Sequence, residues 1–193
     1  MPETLKHAIT KYNALSLILA EGSLDTLGGV PPVLLSFDMQ PQIQTQWCWA
    51  ATSVSVSQFY DQDSSWTQCE VAELIMGSSC CQNPSPCNKP WYLDEALTVT
   101  NNFVSQSAPF TFQQVEGELK NDRVVCARVG WWGGGGHFMV IYGCRTLNGV
   151  NYYSIDDPIY GKSEITETAF LDAYQGSGRW THSYTTKPNI IVI

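Results

Sequence analysis

The sequence predicts an α+β domain, and two observations carry that prediction. Helix-like patterns occupy the stretch from 48 to 120, whereas from 124 onward β-branched and aromatic runs are separated by Gly, Asn and Pro. Helices first and strands afterwards describe an α+β architecture. At 193 residues, 44% hydrophobic and 15% charged, the chain has the size and composition of one globular domain with a sizeable core.

Residues 1–36 read as an N-terminal arm. A weakly amphipathic helix is expected around 5–20, followed by Gly28-Gly29 and Pro31-Pro32. The arm is a candidate leader or transport segment, and the domain proper is expected over 37–193. Residues 48–60 mix Ala, Val, Phe and Tyr with small polar residues, which suits a largely buried helix. Thr67 and Glu70 match a capping box that opens a helix running to Met76, where Gly77 ends it. Residues 78–90, rich in Ser, Pro, Asn and Cys, form an irregular loop. Short helices are expected over 91–99 and 112–120. Strands are expected over 124–129, 138–142, 152–155 and 180–184.

Charge and hydropathy exclude several function classes. Ten basic and 18 acidic side chains give a net charge of -8, so no basic nucleic-acid footprint is expected. No apolar run is long enough to span a bilayer. Lys6 and Lys11 precede a short apolar stretch, Ala14 to Ala20, which Glu21 and Asp25 soon interrupt, and no small-residue cleavage site follows. The expectation is a protein without a secretory signal peptide. It would stay in the cytoplasm of a bacterial producer or reach a target cell through a specialised secretion system.

Seven cysteines are many for a cytosolic protein of this size. Cys69, Cys80, Cys81 and Cys87 fall close together, and no C-x-x-C pair is present. Local disulfide staples rank first, buried free thiols second and a metal site third. Disulfides would mean that the protein meets an oxidising compartment.

The densest chemical signal is Gln46-Trp47-Cys48-Trp49-Ala50-Ala51. A cysteine at the start of a helix meets unpaired N–H groups and the positive end of the macrodipole, which favour thiolate. It is a candidate nucleophile; the alternative is a structural cysteine between two core tryptophans. Trp47 is a candidate substrate contact. Gln42, six residues earlier in an extended approach, can aim an amide N–H at a developing oxyanion beside the Cys48 N–H. Gln40, Gln44 and Gln46 lie nearby, and spacing alone selects Gln42.

A base is needed, and the chain holds three histidines: His7, His137 and His182. His137 follows Trp131-Trp132 and glycines 133–136 and opens the strand Phe138 to Gly143. A strand holds the imidazole, and the glycines let substrate backbone approach. Trp132, Gly135 and Gly136 are therefore expected to bind substrate. The third group is one of Asp156 and Asp157 at the end of the next strand. Alternation turns one toward the site, and Asp157 is preferred.

Together these pieces resemble the papain-like cysteine peptidase superfamily. The nearest look-alikes are the bacteriocin-leader-processing peptidases and the type III effector proteases of plant pathogens. The resemblance rests on Gln42 with Trp47-Cys48-Trp49-Ala50, on Gly136-His137-Phe138-Met139-Val140-Ile141-Tyr142-Gly143, and on Asp157-Pro158. It implies a helical lobe, with Cys48 at the start of a central helix, packed on an antiparallel sheet. It also implies peptide hydrolysis through a Cys-His-Asp triad, with no metal or organic cofactor. The same constellation would serve an acyltransferase or deamidase. The leading expectation is a bacterial effector or toxin that cuts proteins in a target cell and has a cognate immunity protein. Leu24-x-x-Leu27-Gly28-Gly29 looks like the double-glycine end of a bacteriocin leader. That likeness suggests self-processing or a preference for Gly-Gly sites; an ordinary loop is the other reading.

Overall fold

The computed structural model describes residues 31–189; the expected helix over 5–20 and the Gly28-Gly29 segment lie outside the described residues. In chain order the elements are β1 (Val33–Leu34), α1 (Cys48–Tyr60), α2 (Gln68–Met76), a 3-10 turn (Ser85–Cys87), α3 (Leu93–Val99), β2 (Phe103–Ser107), α4 (Phe112–Leu119), β3 (Val125–Trp131), β4 (Gly136–Leu147), β5 (Val150–Asp156), β6 (Ser163–Thr166), α5 (Glu167–Asp172) and β7 (Gly178–Thr186). The seven strands form one antiparallel sheet in the order β2-β7-β3-β4-β5-β6, with β1 added to β4 opposite Gly143 and Cys144. The fold is α+β, as expected.

β4 is the structural axis. Every residue from His137 to Cys144 is buried, because the sheet is covered on both faces. Phe138, Val140 and Tyr142 pack with α1, α2 and α3. Met139 and Ile141, of the opposite alternation, pack with Phe112, Val115 and Leu119 of α4 and Phe170 of α5. Two cores therefore meet at one sheet.

α1 is buried from Cys48 to Ser57. Its alanines and serines are small enough for a helix to sit between the sheet and its neighbours. Ser53 and Ser55 turn their hydroxyls onto Ala50 O (3.0 Å) and Ala51 O (2.7 Å), so burial leaves neither unpaired. The α2 capping box forms as read, with Gly77 in the left-handed region at φ 63°. A second box, Thr111 with Gln114, opens α4.

Three features differ from the sequence expectation. The arm was bounded at residue 36, but Val33 and Leu34 pair with β4 and Leu35 N donates to Tyr142 O (2.9 Å). Residues 33–36 therefore go with the sheet. Edge strands β2 and β6 and the short α5 were not anticipated: their few residues show too little period to register. β4 also extends well past 142, where Gly143 lets β1 lie close; a Cβ there would meet Val33 O at 2.9 Å.

The clustered cysteines form two disulfides, Cys69–Cys81 and Cys80–Cys87, which tie α2 to the irregular loop. Cys48, Cys126 and Cys144 are free thiols. Among the described residues no cluster of His, Cys, Asp and Glu has metal-site geometry, and no helix is long and apolar enough to cross a membrane.

Candidate active site

Cys48 is the first residue of α1, and Trp47 at the N-cap offers no side-chain cap. The N–H groups of the first turn, that of Cys48 included, thus lack intrahelical acceptors. Trp47 and Trp49 fix this turn by donating their indole N–H groups to Cys87 O (2.8 Å) and Lys89 O (3.0 Å). Gln46 N donates to Asn88 Oδ1 (2.9 Å), and Asn88 Nδ2 donates to Thr45 Oγ1 (2.9 Å). The disulfide-closed loop thereby holds the five residues around the thiol.

His137 enters β4 one residue after its start and is buried. Its Nε2 lies 2.8 Å from Asp157 Oδ1, and its ring also hydrogen-bonds the Cys48 side chain. With Nε2 committed to the carboxylate, Nδ1 is the nitrogen left for sulfur. Trp131 stacks along the imidazole (centroids 6.2 Å, 23° between planes), and Tyr160 meets it edge-on at 6.3 Å. The ring is thus clamped on several sides.

Asp157 is buried and fully engaged. Its Oδ1 also accepts from Ile159 N (2.7 Å) and Tyr160 N (3.0 Å), and its Oδ2 accepts from the buried Tyr174 hydroxyl (2.7 Å). Burial alone would raise its pKa, but the bond from His137 and these donors hold it below the usual carboxylate range. For His137, burial would lower the pKa. Bonds and charge from Asp157 and Cys48 outweigh that, and it is pushed up to about 9. The neighbouring carboxylate, Asp156, turns to the other side and accepts from Met39 N (2.9 Å).

The segment before the thiol is strapped across the site. Gln40 N donates to Ser55 Oγ (2.8 Å), Gln42 N to Pro158 O (3.1 Å), and Ile43 N to Gln68 Oε1 (3.1 Å). Gln40 is spent on structure: its amide donates to Gln58 and accepts from Gln68. Gln42 Nε2 gives one proton to Gln44 O (2.9 Å) and keeps another; its buried Oε1 has no partner among the described residues.

A cavity of about 560 Å³ opens beside Cys48. One wall is Gln46, Cys48 and Trp49, a second is Pro90, Trp91 and Tyr92, and the third comes from the strands, including Arg128, Gly135, Gly136 and Phe138. Gly134 (φ 94°) and Gly135 (φ 82°) supply left-handed turn positions, so glycine is needed there for the hairpin itself.

Four expected substrate contacts divide. Gly135 and Gly136 line the cavity. Trp47 does not: it has no exposed surface and is a core residue, because its indole turns inward to Cys87 O. Trp132 is 79% exposed and stands off the cavity wall. β3 ends at Trp131, which reaches His137, whereas Trp132 already lies in the turn. Sequence reasoning also missed Trp91, Tyr92, Arg128 and Tyr174, whose placement depends on tertiary contacts alone. Gln42 is not on the cavity wall, whereas Gln46 is.

The Cys80–Cys87 bridge should be felt at the thiol. Closing so short a loop contributes about 2–3 kcal/mol. The paired Cys80→Ser, Cys87→Ser variant is expected to lose roughly that much in urea unfolding, and its Cys48 should be alkylated at an altered rate as the Asn88 and Cys87 contacts loosen. Unchanged alkylation would uncouple the loop from the site.

The arrangement provides a sulfur, an imidazole and a carboxylate in series beside an open cavity, which suits acyl transfer through a thioester. No curated protein matches the chain by sequence. Among solved structures, a chain from work on the mite allergens Blo t 1 and Der p 1 superimposes with TM-score 0.54 at 14% identity, over 86% of this chain and 74% of that one. A C39-like peptidase from Bacillus anthracis gives TM-score 0.54 at 14% identity, over 82% of this chain and 99% of that one. At such identity these two show the papain-like fold. Residues 33–175 match the family described as papain-like cysteine protease AvrRpt2, and since that match takes in most of the chain, the protein belongs to this family and is a cysteine peptidase, a hydrolase.

Proposed function

We propose that Cys48, His137 and Asp157 are the catalytic triad of this protease, and that it is a bacterial effector or toxin cutting proteins in a target cell. The observation that carries the triad is the clamped imidazole, whose Nε2 bonds a buried carboxylate while the ring also meets the helix-start thiol. In this mechanism the Cys48 proton already rests on His137 Nδ1, and the thiolate attacks the peptide carbonyl with the imidazolium beside it. The backbone N–H of Cys48 and the spare amide proton of Gln42 stabilise the oxyanion. His137 then returns its proton to the leaving amine and activates the water that hydrolyses the thioester. Asp157 fixes the tautomer and supports the imidazolium. The two disulfides fit passage through an oxidising compartment on the way to the target cell. A cognate immunity protein would act by covering the cleft beside Cys48. The test compares new protein N-termini in target cells expressing the wild type or Cys48→Ala. Sites cut only by the wild type are expected; identical sets of termini would sink the reading.

One observation favours self-processing as a second reading. The family match and the first strand among the described residues both begin at Val33, just after Gly28-Gly29. Purified protein should then yield a chain starting at Val30, and Cys48→Ala should not; an intact Met1 start in both would exclude it.

A further inference from the structure

The strand wall of the cavity carries a cation without a counterion. Arg128 of β3 is half-buried, and among the described residues it makes no ion pair, although the chain holds 18 acids to 10 bases. The other three arginines are all paired: Arg123 with Glu118, Arg145 with Glu164 and Arg179 with Asp172. Its exception stands on the wall shared with Cys48.

The guanidinium is held in place by design of the hairpin. Arg128 Nη1 donates to Thr181 Oγ1 (3.0 Å), and that hydroxyl donates back to Arg128 O (3.0 Å). Nη2 approaches Gly135 O at 3.5 Å. Beneath it lie two glycines paired across the β3–β4 hairpin, Gly130 and Gly136. A Cβ at Gly136 would come within 2.5 Å of Nη2 and 2.6 Å of Cζ, and one at Gly130 would sit 3.4 Å from Nη1. Only glycine at 136 leaves room for this planar group to lie flat beside the His137 position. Gly136 thus both lines the cavity and makes room for the guanidinium. His182 also lines the cavity, and its pKa is lowered by burial and then by the Arg128 charge, so the positive charge there is that of Arg128.

We infer that Arg128 is a specificity residue: it binds an acidic side chain of the substrate, Asp or Glu, within about three residues of the scissile bond. The inference rests on the peptidase reading above. Only part of the guanidinium donor set is used by Thr181 and Gly135, and the planar fork suits a carboxylate. Trp49 and Trp91 line the other walls of the cavity and Phe138 lines that of Arg128, and these apolar rings reduce the water available to compete for a charge-assisted bond there. Reach sets the position. The guanidinium lies against Gly136 on the wall of the cavity that Cys48 also lines, and an extended peptide advances about 3.3 Å per residue.

The test uses the full chain on a proteome-derived peptide library, followed by matched peptides carrying Glu, Gln or Lys at the preferred position. The wild type is expected to favour Glu over Gln by roughly 10- to 100-fold in kcat/KM, mostly through KM. Arg128→Gln should bring that ratio near one, and Arg128→Glu should turn the preference toward Lys. Gly136→Ala, which displaces the guanidinium without removing it, should also erode the ratio. Cleavage with no acidic preference, or a preference that survives Arg128→Gln in a protein of wild-type melting temperature, overturns the inference and leaves the peptidase reading standing. Cleavage of no library peptide overturns both.

Discussion

Replacing Cys48 by alanine is expected to lower peptide hydrolysis by roughly 10,000-fold or more while the protein still folds. The sulfur is the only atom in the arrangement able to take up the acyl group. His137 and Asp157 can at best activate water in its absence. Cys48 is buried with the α1 core but also lines the cavity, so trimming its one sulfur should cost little stability. Single-turnover hydrolysis and circular dichroism on the same preparation check the two halves of this statement.

Alkylation provides an internal control. Two other free thiols lie in the same fold. Cys126 is wholly buried and burial pushes its pKa up strongly, while burial raises that of Cys144 to about 12. Neither has an imidazole beside it, so both are expected to be inert at mildly acidic pH. Iodoacetamide should therefore label Cys48 alone, and His137→Ala should slow that labelling. Equal labelling of all three thiols would remove the special character assigned to Cys48.

The parts of this site that could be read from sequence share one property: each is dictated locally. Cys48 precedes a run of small residues that forms a buried helix, and only three histidines compete to be its partner. Alternation limits the carboxylate to Asp156 or Asp157, and the structure separates them, because Asp156 is occupied by Met39 N and Asp157 by the imidazole. The capping box at Thr67 is likewise a four-residue signal. What escaped depends on partners distant in the chain. Whether Trp47 or Trp91 meets the cavity turns on which backbone carbonyl takes the Trp47 indole, and that carbonyl belongs to Cys87, forty positions away. Arg128 becomes a feature only when the hairpin register sets Gly130 opposite Gly136 and Thr181 arrives from β7. The disulfide pairing is combinatorial, and adjacent Cys80 and Cys81 choose different partners for reasons that spacing does not encode.

The second large effect lies at Asp157, where asparagine and alanine should part company. Asparagine keeps an oxygen for His137 Nε2–H and for the Ile159 and Tyr160 amides, and its NH2 can face a rotated Tyr174 hydroxyl. It removes only the charge. Without that charge, burial acts on the imidazole against weaker opposition, so the His137 pKa should fall well below about 9. The imidazolium is the active form, so the alkaline limb of kcat/KM should move down from about 9 in Asp157→Asn. Alanine removes the acceptor as well, stranding a buried imidazolium, the Tyr174 hydroxyl and two amides. That should destabilise the protein by about 3 kcal/mol or more besides abolishing activity. The pH dependence of wild-type stability follows with opposite signs for the two partners. His137, raised on folding, stabilises fully below its unfolded pKa and loses this as pH climbs through about 9. Asp157, lowered on folding, stabilises above its unfolded pKa and loses this as pH falls through its folded value. The pair therefore contributes most across mildly acidic to neutral pH. Urea unfolding of wild type and Asp157→Ala should differ most in that range and converge toward either extreme. A difference between the two that stays constant from acid to alkali would mean that the ion pair is not what holds the imidazole.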